Sequence, residues 1–410
     1  MNFAKLSAWW SARSRWEQAA LIVWAGILLF VSVRVFFWPK AKTVYPIYSV
    51  SHLFWWDGTD LYEPYRPADV PGGFRYAPTF ALMMAPFAFF PDSVGGILWR
   101  LAGAGALLGS LWWCLRVLPG APTSRHTGWL FLLLVPLSMQ SLNNGQANIH
   151  VAACMLATIA CVFERRWTLA AVAIALAVVC KIYPLSLGLV LIVLYPRELS
   201  WRIPLAVAAA MLVPFLFQHP DYVVDQYRKW IENLRTEDRT NIPLEHMYRD
   251  LWLLFHLYGI PVGRTAYVLI QVGAGAAIAA LCWYRQRSGW SEQTLLTSTL
   301  ALVAAWMMLL GPSTESSSFA LLAPSLAWSI VEAIRERPWR VRSLLLWGAC
   351  AFFLAAVSLS SFARTVRISE LGVHSWGSLL YFVYLLAEPR PPQAAVAAAP
   401  ATPPPLPLAA

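Results

Sequence analysis

NNGQANIHVAACMLATIACVFERRW, residues 143–167, decides the class of this chain. It opens with five polar side chains: Asn143, Asn144, Gln146, Asn148 and His150. A run of Ala, Val, Leu, Ile and Cys follows without alternation, and then comes the pair Arg165 and Arg166. A continuous apolar run of this length reads as a helix that is apolar on every side. Amides at one end and arginines at the other mark a membrane span whose two ends face different surroundings.

The same pattern extends in both directions. Apolar stretches fall at about 18–38, 93–118, 127–142, 148–163, 167–181, 183–196, 203–218, 265–284, 293–311, 317–334, 343–363 and 375–387, which predicts about 12 transmembrane helices. The chain is 59% hydrophobic and 13% charged, with a mean hydropathy of +0.55, outside the range of soluble domains. The fold class expected is therefore an all-α polytopic membrane protein. A β-barrel would alternate apolar and polar residues, and these runs do not. Residues 76–91, YAPTFALMMAPFAFFP, are apolar but short and carry Pro78, Pro86 and Pro91. They read as a re-entrant or interfacial helix in the first outer loop. Residues 1–388 are expected to form one domain. The Pro/Ala-rich tail 389–410 cannot build a core and is expected to be disordered.

Charge orients the threading. The first span follows Lys5, Arg13 and Arg15 and reads as an uncleaved signal anchor with a cytoplasmic N-terminus. Arg116, Arg125, Arg165, Arg166, Arg197, Arg202, Arg285, Arg287, Arg335, Arg337, Arg340 and Arg342 then fall on the same side, as does the C-terminus. The short outer connections hold only Lys181, Arg364 and Arg367. The net charge of +10 is spread among short loops and so reports topology, not nucleic-acid binding. Arginine outnumbers lysine 26 to 5, and Ala, Trp and Pro are abundant, which fits a GC-rich bacterial source and hence the inner membrane. The six cysteines lie within or beside apolar runs with no CxxC spacing, so neither a disulfide framework nor a zinc site is expected. No P-loop, Rossmann fingerprint, HExxH or nucleophile elbow occurs, and no cofactor or metal is expected.

This threading gathers the polar clusters on the outer side. The loop 39–75 sets Asp57, Asp60, Glu63 and Asp69 among Trp55, Trp56, Tyr62 and Tyr65. Aromatic faces suit sugar C–H surfaces, and a carboxylate can take a proton from an acceptor hydroxyl. An interfacial aromatic belt with solvated acids has the same composition. In 143–150, Gly145 permits a tight turn, and the helix that follows offers free N–H groups to a phosphate; polar packing between helices is the plainer alternative. Lys181 in KIYP (181–184) stands between two apolar runs, where a lysine is costly unless it has an anionic partner or snorkels to the surface. The long segment 218–264 has mixed charge at helical spacing, which usually means a solvated amphipathic helix. It includes His246 beside Glu245, a pair capable of acid–base work. Glu315 in GPSTESSS (311–318) is a further outer carboxylate, set among hydroxyls that could bind a glycan.

Four strings, in order, resemble the polyprenol-phosphate-mannose-dependent membrane glycosyltransferases of family 87: DLYEPYRP (60–67), GGFRYAPTFALMMAPFAFFP (72–91), NGQANIH (144–150) and KIYP (181–184). The likeness covers roughly residues 40–200 well and the rest in outline. It implies a GT-C-like fold, an extracytoplasmic site, and a hexose, mannose first, carried on polyprenyl phosphate to a lipid or glycan acceptor. Inversion at the sugar carbon would follow, with one carboxylate as base. Candidate bases are Asp60, Asp57 and Glu315. Candidate substrate-binding residues are Tyr48, Tyr62, Arg75, Tyr76, Asn144, Gln146, Asn148, Lys181, Tyr183 and His246, with Lys181 and the amides on the phosphate. The resemblance also shows a departure. The family places an aspartate early in the first outer loop, where VYPIYS (44–49) puts Val44. The serine–tryptophan–histidine string expected later is replaced by GPSTESSS. A lipid-glycan transporter or flippase, or a degenerate member acting as an assembly partner, are the competing readings. Few charges lie mid-span, which counts against the transporter.

Overall fold

The computed structural model describes residues 3–62, 73–118, 124–236, 244, 247–312, 314–336, 340–362 and 371–388. Among these, the regular elements are all helical. α1 (Phe3–Ser11) and α2 (Arg15–Phe37) open the chain, followed by α3 (Tyr45–Asp57), α4 (Pro78–Met83), α5 (Ala85–Ala88) and α6 (Asp92–Val117). The middle of the chain holds α7 (Ser124–Leu133), α8 (Val135–Asn144), α9 (Asn148–Phe163), α10 (Trp167–Cys180), α11 (Leu185–Leu194), α12 (Pro196–Leu199) and α13 (Arg202–Leu212). After α14 (Pro220–Thr236) and α15 (Leu251–Leu257) come α16 (Arg264–Arg287), α17 (Glu292–Leu310), α18 (Ala323–Glu336), α19 (Arg340–Phe362) and α20 (Val373–Leu386).

The caps follow from the sequence. Ser14 and Glu17 close a reciprocal capping box at the start of α2, and Ser291 caps α17 through Thr294 N–H. Pro136 in the first turn of α8 removes a donor, which splits the expected span 127–142 into α7 and α8. Each apolar stretch expected to span falls on helix. Among the described residues, six helices are long and apolar enough to cross a membrane: Arg15–Phe37, Asp92–Val117, Pro196–Leu216, Arg264–Arg287, Glu292–Leu310 and Val341–Ser358. α9, α10, α11 and α20 are apolar but shorter, so length and composition alone qualify fewer than the twelve expected. In the proline-rich stretch 76–91, α4 and α5 are both too short to cross.

α17 is buried almost throughout and forms the axis of the core. α2, α13, α16 and α19 instead turn large apolar side chains outward, among them Phe30, Leu205, Leu269 and Leu344. Long helices with an exposed apolar surface need lipid around them. The protein is an integral membrane protein.

The loop 39–75 contains a helix that composition did not suggest. α3 starts with Pro46 in its first turn and ends at Gly58, whose φ of +66° is the left-handed cap. It buries Tyr45, Tyr48, His52 and Trp55, a helical spacing visible in the sequence once looked for. The amphipathic helix expected in 218–264 is present as α14.

Candidate functional site

The site begins with the polar cluster at 143–150. α8 ends at Asn144, and Gly145 turns the chain with a φ of +72° into α9. Two arginines from other helices hold this turn. Arg100, almost fully buried on α6, donates to the carbonyls of Leu142 (2.8 Å), Gly96 (2.8 Å) and Asn143 (3.1 Å), and to Thr43 Oγ1 (2.7 Å). Arg34 donates to Asn143 O (3.2 Å), to Asn143 Oδ1, and to Ala41 O (2.6 Å). Positive charge belongs at a helix C-terminus, and these cations satisfy the last free carbonyls of α8. A Cβ at Gly145 would stand 2.7 Å from Arg100 Nη2, so only glycine fits both the angle and the approach. Asn144 contributes its backbone oxygen, which accepts from Val44 N (3.0 Å) and Thr43 Oγ1 (2.8 Å). Arg34, Arg100 and Asn143 are therefore scaffold. Replacing Arg100 with Met should cost about 2–4 kcal/mol by removing the hydrogen bonds that its buried guanidinium makes to three carbonyls and Thr43; a lower thermal midpoint in detergent checks it.

Beyond the turn the remaining amides meet Glu315. Gln146 Nε2 donates to Glu315 Oε2 at 2.6 Å. Gln146 Oε1 accepts from Asn148 Nδ2 (2.6 Å) and from Ser317 Oγ (2.8 Å). Gln146, Asn148 and Ser317 are buried, whereas the Glu315 carboxylate is exposed at the start of the 3-10 helix Ser316–Leu321. The loop thus presents a reachable carboxylate on a buried support.

Lys181 lies in the link between α10 and α11. Its Nζ stands 5.4 Å from the Tyr183 ring centre, and it interacts electrostatically with Tyr183, Tyr76 and Glu315. Burial works to lower its pKa, but these oxygens raise it more, so the ammonium stays charged. Tyr48 and Tyr76 join hydroxyl to hydroxyl, and burial pushes both phenols above their ordinary range, which keeps them neutral. Tyr76 stacks on Phe80, and Tyr62 Oη donates to Tyr76 O at 2.8 Å. One buried polar atom here, Asn148 Oδ1, has no hydrogen-bond partner among the described residues.

The structure brings together Tyr48, Tyr76, Gln146, Asn148, Lys181, Tyr183 and Glu315, with Tyr62 touching through Tyr76. It does not bring Asp57 or Asp60 into that group. Asp57 is exposed at the end of α3. Asp60 accepts from Tyr62 N and pairs with Lys229 of α14, each at 2.9 Å. Residues 55–61 dock on α14 and the turn before it: Leu61 N donates to Gln226 Oε1, Tyr222 Oη to Thr59 O, and, ahead of α14, Gln218 Nε2 to Trp55 O. Arg75 is exposed and donates to Tyr248 Oη at 2.9 Å. His246, like Glu63, Asp69, Glu245, Arg364, Arg367 and the tail 389–410, lies outside the described residues. Sequence reasoning passed over Ser317 as an individual, although its string had been singled out. Among the described residues no three His, Cys, Asp or Glu side chains stand close enough to hold a metal ion.

A carboxylate open to solvent, a charged amine near it, and neutral phenols between aromatic faces can deprotonate a hydroxyl and hold an anionic leaving group. Residues 74–312 match the family described as glycosyltransferase family 87. The polyprenol-phosphate-mannose-dependent alpha-(1-2)-phosphatidylinositol pentamannoside mannosyltransferase of Mycobacterium tuberculosis is 24% identical over 331 residues, covering 78% of this chain and 73% of that protein. The protein of the same name from Mycolicibacterium smegmatis is 26% identical over 332 residues, covering 78% and 76%. The crystal structure of ArnT from Cupriavidus metallidurans bound to undecaprenyl phosphate aligns with a TM-score of 0.42 and 16% identity, over 88% of this chain and 76% of that one. With the family match spanning more than half of its 410 residues, the chain belongs to glycosyltransferase family 87.

Proposed function

We propose that this protein is a GT-C-like hexosyltransferase that moves mannose from polyprenyl phosphate to a lipid or glycan acceptor on the extracytoplasmic face of a bacterial inner membrane. The observation that carries this reading is the meeting of Glu315, Gln146, Asn148, Lys181, Tyr48 and Tyr76, from separate parts of the chain, around one loop. Two relatives named for polyprenol-phosphate-mannose dependence support the donor. The arginine distribution supports the sidedness, with both termini cytoplasmic. Nucleotide sugars stay in the cytoplasm, so chemistry on the far face needs a lipid-borne sugar. α4 and α5 would lie at the membrane interface beside the site.

In the reaction, Glu315 takes the proton of the acceptor hydroxyl as that oxygen attacks the sugar C1. The C1–O bond to phosphate breaks, and the electron pair leaves with polyprenyl phosphate. Lys181 offsets the charge gathering on that phosphate. One displacement inverts the sugar carbon. Val44, where the family string carries aspartate, bonds through its backbone to Asn144, and two residues further on Gln146 meets Glu315. In this reading Glu315, from the segment after α17, takes the part of that aspartate.

The test is transfer by purified protein in nanodiscs, given radiolabelled polyprenyl-phosphate mannose or glucose and a membrane-lipid extract. Labelled product from the mannose donor is expected. Asp57→Ala and Asp60→Ala should stay within about threefold of the parent rate, since neither carboxylate faces the cluster and surface pairs such as Asp60–Lys229 contribute little. A folded protein that transfers nothing from either donor overturns the reading in favour of a scaffold or transporter.

A further inference from the structure

We infer that Gln146 is a positioning residue: its side-chain amide, locked by Asn148 and Ser317, fixes the orientation of the Glu315 carboxylate. The inference rests on the base assigned to Glu315 above and replaces the phosphate-binding role that the resemblance suggests for this amide.

An amide can face a carboxylate in only one way. Its NH2 must point toward the acid, because the carbonyl would repel it. Here two donors settle that choice from behind. Asn148 Nδ2 at 2.6 Å and Ser317 Oγ at 2.8 Å both fill the Gln146 oxygen, so Nε2 is left to reach Glu315 Oε2 at 2.6 Å. The two donors come from different elements: Asn148 opens α9, and Ser317 lies in the 3-10 turn just after Glu315. All three supporting side chains are buried, and the carboxylate they hold is exposed. Ser317 Oγ also stands 3.5 Å from Glu315 Oε2, and Glu315 N donates to Ser318 Oγ at 3.2 Å, so the turn fixes the backbone of the acid as well. One carboxylate oxygen is therefore occupied by Gln146. The geometry is that of a base whose direction is set by a buried relay. A residue that binds donor phosphate would offer its N–H groups to the ligand; Gln146 has already directed one at Glu315. Among the described residues, the charged or titratable groups facing Glu315 are Lys181 from the α10–α11 link, Tyr48 from α3 and Tyr76 from the segment before α4.

The test measures donor KM, kcat and the pH–rate profile for Gln146→Ala, Gln146→Glu, Ser317→Ala and Glu315→Gln in nanodiscs. Gln146→Ala is expected to lower kcat about 30- to 100-fold with donor KM within threefold, the signature of an interaction expressed in the transition state. Gln146→Glu places two carboxylates together, and the acid limb of the kcat profile should move up by about one unit or more. Ser317→Ala removes one of the two locking donors and should show the same split at about three- to tenfold, which keeps the test open if Gln146→Ala does not fold. A donor KM raised tenfold or more at unchanged kcat, with the acid limb unmoved in Gln146→Glu, overturns the inference and returns Gln146 to the phosphate. Wild-type turnover by Glu315→Gln would sink the base reading beneath it. An inactive Glu315→Gln beside KM-only effects at Gln146 sinks the positioning role alone.

Discussion

Glu315→Gln should reduce sugar transfer by about a thousandfold, in line with the range expected for removal of a general base, while the protein keeps its fold. The change preserves the shape of the side chain and much of its hydrogen bonding, so packing is spared. It removes the one property the chemistry needs, a lone pair able to take a proton at neutral pH. Glu315 lies on the exposed side of the loop, its backbone pinned by Ser318, and its burial contributes little to stability. Size-exclusion profile and thermal midpoint should match the parent. Glu315→Asp should recover part of the rate, because the carboxylate remains but sits about one methylene short of Gln146. Initial rates with polyprenyl-phosphate mannose check both.

Lys181→Met should lower kcat/KM for the donor by about a hundredfold or more, as expected for loss of a charge-assisted contact to phosphate in a water-poor site. Met keeps the length and apolar stem of lysine, so side-chain volume is largely retained. What disappears is the ammonium, which the structure places beside Tyr76, Tyr183 and Glu315, with no ion pair to it within salt-bridge distance among the described residues. A half-buried cation without a close anion is costly, so an anionic ligand at this place would lower the cost of holding it there. Lys181→Arg should restore less than half of the loss, since the wider guanidinium must fit a gap shaped for a compact head. Donor titration of the three proteins decides.

Much of the fold was legible because a membrane imposes few solutions. Apolar runs such as 148–163 and 265–284 could only be helices, and they are. The arginines at helix ends were as visible as the runs. The amphipathic spacing of α14 was also readable, since one side must meet water. What the sequence hid was partnership across distance. Asp60 looked catalytic because carboxylates among aromatics suit a sugar; its contact with Lys229, far along the chain, could not be read from either string. Arg100 lies within an apolar run of sequence, and only the folded chain sets it under the C-terminus of α8. Glu315 was visible as an acid, but its link to Gln146 spans 169 residues and depends on how α8, α9 and the 3-10 turn after α17 pack. α3 was missed for another reason. Its apolar stripe of Tyr45, Tyr48 and Trp55 is interrupted by Pro46, Ser49 and Ser51, and a loop rich in aromatics shows the same composition.

The most direct test is chemical rescue of Glu315→Gly. The side chain is exposed, so a small carboxylate such as formate can enter the space that glycine leaves and take the proton instead. The account predicts negligible transfer by this variant alone, a rate that rises in proportion to formate, and no rescue of Lys181→Met under the same conditions. Transfer by Glu315→Gly at the parent rate without formate would contradict it.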